Sequence, residues 1–79
     1  MKFYFLSVSA LHRETWNWYH CSQYIINYSP MQLIKRLQTA EDNAHAAPDK
    51  KSYYYSFRID SVLEITEEEY FLYKDDFEN

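Results

Sequence analysis

Ser29-Pro30-Met31-Gln32-Leu33-Ile34-Lys35-Arg36-Leu37 is the stretch on which the fold turns. A serine followed by proline, with glutamine three places after the serine, has the makings of a helix start. Ser29 is the expected N-cap, Pro30 takes the first helical position, where a missing N–H costs little, and Gln32 completes a capping box. Apolar residues then recur at Met31, Leu33, Ile34, Leu37, Ala40 and Ala44, the three-and-four spacing of an amphipathic helix. Lys35, Arg36, Glu41 and Asp42 fall on or near the wet side. The helix should fade by His45, because Pro48 cannot continue it and Asp49-Lys50-Lys51 reads as solvated loop.

Strand patterns flank this helix. From Lys2 to Leu11, Tyr4, Leu6, Val8 and Ala10 alternate with Phe3, Phe5, Ser7 and Ser9, which suits a central strand. The polar run His12-Arg13-Glu14-Thr15 interrupts the pattern. A second alternation follows, in which Trp16, Trp18, His20, Ser22, Tyr24 and Ile26 share one face, so the two runs form a hairpin. The chain has no glycine, which favours a loop of three to five residues over a tight primed turn. Beyond the helix, Ser52 to Ile65 is again strand-like, with Tyr53, Tyr55, Phe57 and Ile59 on one side and Tyr54, Ser56, Arg58 and Asp60 on the other. The parity then slips so that Val62, with Leu63 and Ile65, becomes the buried set, which predicts a bulge or bend near Asp60-Ser61. Thr66-Glu67-Glu68-Glu69 is a second capping box and opens a short helix carrying Tyr70, Phe71, Tyr73 and Phe77.

The order β-β-α-β-α implies an α+β fold. A strand-helix-strand crossover sets the third strand parallel to the second, and so beside the first and antiparallel to it, in the sheet order 2-1-3. Residues 1–79 read as a single small domain. A chain of this length buries only roughly 60–65% of its unfolded surface, and the 16 aromatic residues supply the bulk that a thin two-layer core needs. Cys21 has no disulfide partner in the chain and no basic-then-apolar leader precedes the first strand, which together suggest a reducing cytoplasm. No run approaches the roughly 20 apolar residues that cross a bilayer, and the acidic end disfavours an anionic membrane surface.

Charge is distributed unevenly. From Asp60 to Asn79 there are eight carboxylates and one cation, Lys74, a net of −7; the rest of the chain carries +3, giving the overall −4. Glu67, Glu68 and Glu69 also serve a helix start, whereas Asp75, Asp76 and Glu78 have no such duty. The candidate partner-binding residues are therefore Glu68, Glu69, Asp75 and Asp76 for charge, with Tyr70 and Tyr73 as anchors.

Motifs for catalysis are missing. There is no phosphate loop, nucleophile elbow, CxxC or HExxH, and His20 and Cys21, adjacent on a strand, point to opposite faces and cannot share a metal. The paired carboxylates at 67–69 and 75–76 lie on a short terminal helix, which offers little depth for acid-base chemistry. No enzymatic activity, metal or cofactor is expected.

A small, glycine-free, tyrosine-rich acidic chain that begins Met1-Lys2-Phe3-Tyr4-Phe5 and closes on Ile65-Thr66-Glu67-Glu68-Glu69-Tyr70 resembles the accessory proteins of phages and mobile elements, including anti-CRISPR and other counter-defence inhibitors. The likeness is one of size, composition and element order. It implies stoichiometric inhibition in a bacterial cytoplasm, by occupying a basic surface of a larger host protein or nucleoprotein complex. Two other readings stand beside it. Lys50, Lys51 and Arg58 with Tyr53, Tyr54 and Tyr55 would suit single-stranded nucleic acid, although the acidic end disfavours a polyanion within a Debye length. A homodimer could pair through an exposed second strand bearing Trp16, Trp18 and Tyr24.

Overall fold

The structure, a computed structural model, describes residues 1–49 and 51–77. Strands Phe3–His12 (β1), Trp18–Ile26 (β2) and Tyr54–Ile65 (β3) form one antiparallel sheet in the order β2-β1-β3. Helix Pro30–Ala46 (α1) crosses from β2 to β3, and helix Glu67–Tyr73 (α2) runs into a 3-10 turn, Lys74–Phe77. This is the α+β order that the element pattern implies: β1 is central because the crossover returns β3 to its free edge.

The core lies between α1 and one face of the sheet. Leu6 and Val8 are fully buried, Ile26 and Leu33 nearly so, and Tyr4, Tyr24, Tyr28, Ile34, Leu37, Phe57 and Ile59 pack around them. The helix starts at Pro30 as expected, but the Ser29-Gln32 capping box does not form. The Ser29 side chain caps nothing, and its carbonyl instead accepts from the backbone N–H groups of Gln32 (3.0 Å) and Leu33 (3.3 Å). The buried stripe also differs from the expected one: Met31 and Ala40 face solvent, and Glu41 turns inward. There its carboxylate accepts from the Ser52 hydroxyl (2.6 Å) and the Tyr54 N–H (3.4 Å), while Arg13 Nε donates to Ser52 Oγ (3.0 Å). One acid thus ties α1, the hairpin loop and the start of β3 together, a role no periodicity reveals.

Three bulges reset the alternation. Val8 pairs with Ser22 and Ser9 with His20, so Cys21 is an extra residue in β2. In β3, Ser7 pairs with Ser61 and Val8 with Ile59, leaving Asp60 extra at the place the sequence indicated. Leu11 pairs with Ser56 and His12 with Tyr54, which leaves Tyr55 extra. An added residue flips every side chain beyond it. Trp18 and His20 therefore share the sheet's other, open face with Ser9 and Leu11, rather than siding with Tyr24 and Ile26. Likewise Tyr54, not Tyr53 or Tyr55, turns toward α1, its ring 6.1 Å from that of Phe57.

Trp16, expected on the second strand, sits instead in the hairpin loop, residues 13–17. His12 N–H donates to the Asn17 carbonyl and Trp16 N–H to the His12 carbonyl, both at 3.0 Å. Trp16 has φ 56°, a left-handed position that glycine would take most cheaply. A bulky residue there costs about 1–3 kcal/mol. Its ring packs edge-on to Tyr55 at 5.5 Å, which offsets part of that cost.

Candidate functional site

The acidic aromatic end is built on the capping of α2. Glu69 N–H donates to Thr66 Oγ1 (3.1 Å) and Thr66 N–H donates to Glu69 Oε1 (3.0 Å), the reciprocal pair the sequence predicts. With its start fixed, α2 presents Tyr70, Phe71, Leu72 and Tyr73 in succession. Four consecutive residues, each turned by about 100°, span the whole circumference of a helix, so one sheet face cannot cover them all. Tyr70 packs on Phe3 with ring centroids 4.8 Å apart, and Phe77, from the 3-10 turn, meets Phe5 edge-on at 5.1 Å. These contacts clamp the C-terminal segment over the open face of the sheet, at the start of β1. Phe71, Leu72 and Tyr73 stay 57%, 67% and 46% exposed, and Leu63 on neighbouring β3 stays 61% exposed.

The six candidate residues accordingly divide. Glu69 is held in the capping box, and Tyr70 is a half-buried anchor of α2. Glu68, Tyr73, Asp75 and Asp76 are exposed on one continuous segment, with Lys74 Nζ over the Phe71 ring at 5.4 Å. Glu78 and Lys50 lie outside the described residues. Val62 and Leu63, expected to be buried beyond the bulge, are instead more than half exposed, because α1 does not reach that end of β3 and α2 covers only part of the other face. Leu72 has no expected role, although the unbroken Tyr70-Phe71-Leu72-Tyr73 run already requires an exposed apolar side.

Beside this segment is a cleft of about 290 Å³ lined by Phe5, Ile25, Leu63, Ile65, Tyr73, Phe77 and Glu69. Phe5 pairs with Ile25 on one side and Leu63 on the other, so one row of the sheet makes its floor. Among the described residues Glu69 is the one charged residue in the lining, and its carboxylate is engaged by Thr66.

The tyrosine-rich end lies elsewhere. His12 pairs with Tyr54 and Phe3 with Ile65, so the start of β3 and the acidic end are separated by the length of β1, about 30 Å at 3.3 Å per residue. That is about three Debye lengths, so the carboxylates of α2 and its following turn are largely screened from the start of β3. The residues for nucleic acid are nevertheless dispersed. Tyr54 turns inward, where burial raises its phenol pKa. Arg58 lies on the open face, 4.2 Å over the Trp18 ring and bonded through Nε to Asp60 at 3.2 Å. Lys51, Tyr53 and Tyr55 remain exposed, with Arg13 over the Tyr55 ring at 5.6 Å.

Ser9, Asp60 and His20 meet on the open face without the order of a catalytic triad. The Ser9 hydroxyl donates directly to Asp60, and His20 Nδ1 stands 4.0 Å from the same carboxylate oxygen. A nucleophilic serine needs the imidazole between itself and the acid. Here the Ser9 bond, aided by Arg58 and His20, lowers the Asp60 pKa and makes it a poor base. Burial pushes the Cys21 thiol pKa up, away from the thiolate that nucleophilic chemistry uses. Among the described residues no group of three or more His, Cys, Asp or Glu is placed to hold a metal ion, and no helix is long and apolar enough to cross a membrane.

No family model matches the chain, nor does any curated protein or solved structure. Its function is therefore argued from its own surface.

Proposed function

We propose that this chain is a non-enzymatic protein-binding inhibitor, of the counter-defence kind its size and composition resemble, that presents an acidic aromatic surface to a basic surface of a larger host protein or nucleoprotein complex. The observation that carries the reading is the apolar surface of α2. Phe71, Leu72 and Tyr73 lie 46–67% exposed within a segment that also displays Glu68, Asp75 and Asp76. Exposed side chains that stability does not require, set among like charges, suit an interface in which apolar groups anchor and carboxylates steer.

The test reverses the charges that have no structural duty. Tagged protein and its Asp75→Lys/Asp76→Lys variant are compared in affinity capture from a bacterial lysate with a salt gradient. The variant should retain about tenfold less of the salt-eluted partner, with unchanged circular dichroism. Equal retention at every salt concentration removes the reading.

A second reading is favoured by one observation: Trp16, Tyr53 and Tyr55 are each more than half exposed near Arg13, at the end of the sheet remote from the carboxylates of α2 and its following turn. Such a platform would stack single-stranded nucleic acid. A low-salt gel shift with an oligonucleotide separates the two readings, since a shift abolished by Tyr55→Ala would favour this one.

A further inference from the structure

We infer that the acidic end supplies a hole rather than a knob: the cleft between β3 and the C-terminal segment receives one large apolar side chain of a partner segment whose flanking residues are lysine or arginine. This rests on the reading of the acidic end as a docking surface and specifies its partner. The floor is the Ile25, Phe5, Leu63 row, and Tyr73 and Phe77 form the wall. At about 290 Å³ the cleft is at the lower bound of small-molecule sites, which span about 300–1,000 Å³, and it holds one aliphatic or aromatic side chain. A small metabolite is a poor occupant, because such ligands are oriented by several converging polar groups, whereas this lining offers the Tyr73 hydroxyl and Glu69, whose carboxylate is already bonded to Thr66. A side chain on a peptide needs no such group, since its backbone is held outside the cleft.

The chemistry of the flanks follows from charge. Asp75 and Asp76 lie on the turn that joins the two wall residues Tyr73 and Phe77. Glu68 precedes them on α2, and the nearby cation, Lys74, is drawn over Phe71. Asp75 borders the neighbouring pocket beside Tyr24 and Tyr28, and Asp76 and Glu68 are exposed on the segment that walls the cleft. A peptide seated on the cleft extends beyond it at about 3.3 Å per residue and so runs past these carboxylates, which favours lysine or arginine beside the apolar anchor and rejects acidic flanks.

The inference is tested by nuclear magnetic resonance titration of the intact protein with two synthetic peptides. One has a leucine between paired lysines, and the other has alanine in place of that leucine. The leucine peptide should move the resonances of Ile25, Leu63 and Tyr73 together and bind at least about tenfold more tightly than the alanine peptide. Leu63→Glu, at an exposed position that leaves the fold intact, should remove this preference. Equal affinity for the two peptides, both weakened by Asp75→Lys/Asp76→Lys, overturns the cleft and leaves the acidic surface standing. A leucine preference unaffected by that charge reversal overturns the acidic surface instead. No shift at millimolar peptide, or occupation of the cleft by a second copy in sedimentation equilibrium, overturns the inference as stated.

Discussion

α1 and α2 both begin at a hydroxyl residue and both lie against the same sheet, yet they use their apolar side chains differently. Beneath α1, Leu6, Val8, Ile26 and Leu33 are excluded from water. In α2 no residue is buried, and three of its four consecutive apolar side chains remain about half exposed or more. The first helix is long enough to dedicate one stripe to a core. The second, from Glu67 to Tyr73, covers Phe3 with Tyr70 and part of Phe71 and leaves much of Phe71, Leu72 and Tyr73 in water. The larger buried cluster therefore lies on one face of the sheet, while on the other Phe3 is buried beneath α2 and most of that helix's own apolar side chains stay exposed.

The sharpest break of this contrast is Leu33→Ala. It opens a cavity in the buried cluster of Leu6, Val8, Ile26 and Leu33 and should cost about 2–5 kcal/mol, much of the total stability of so small a domain, as read from the urea midpoint. The C-terminal helix should be sensitive to its cap instead. Thr66→Ala removes a formed capping box and should cost about 1 kcal/mol, with the loss confined to amide exchange in α2.

A pH-dependent contribution comes from the open face. Asp60 accepts from Ser9 and faces Arg58 and His20, so its folded pKa lies below the ordinary 3.8. A depressed carboxylate stabilises the fold at pH values above its unfolded pKa, and that stability is lost as pH falls through the folded value. Between pH 5 and the acid limit, the thermal midpoint of the wild type should consequently drop more steeply than that of Asp60→Asn. The smallest effect is expected at the other cap: Ser29→Ala removes no capping bond and should change stability by only a few tenths of a kcal/mol. A Ser29 effect as large as that of Thr66 would contradict the difference drawn between the two helix starts.

Much of the fold could be read from residue order. Pro30, the three-and-four spacing after it and the two flanking alternations located the elements, and the crossover rule then placed β1 in the centre. The bulge at Asp60 was legible because Val62, an aliphatic residue, broke the alternation. The bulge at Cys21 was not, since Trp, His, Ser and Tyr are all tolerated on either face of a thin sheet and their order carries no parity signal. Tyr55 was hidden in the same way among three consecutive tyrosines. The capping box at Thr66 formed, whereas Ser29-Gln32 did not, although the two motifs look equally good in the sequence. The inward turn of Glu41 depended on Ser52 and Tyr54, which are too distant in the chain to be inferred as its partners.

At the candidate site, the sequence by itself determined the charge, the aromatic content and the need for exposed apolar surface, because a short helix with four successive apolar residues has more such surface than one neighbour can cover. Tertiary structure alone decided which residues remain available: it assigned Tyr70 to Phe3 and Glu69 to Thr66, joined Leu63 to Tyr73 across a cleft, and set the tyrosine-rich strand start at the far end of β1. The physical reason is that composition and period fix how much surface of each kind must exist. The register of the strands, set here by single extra residues, fixes where that surface lies.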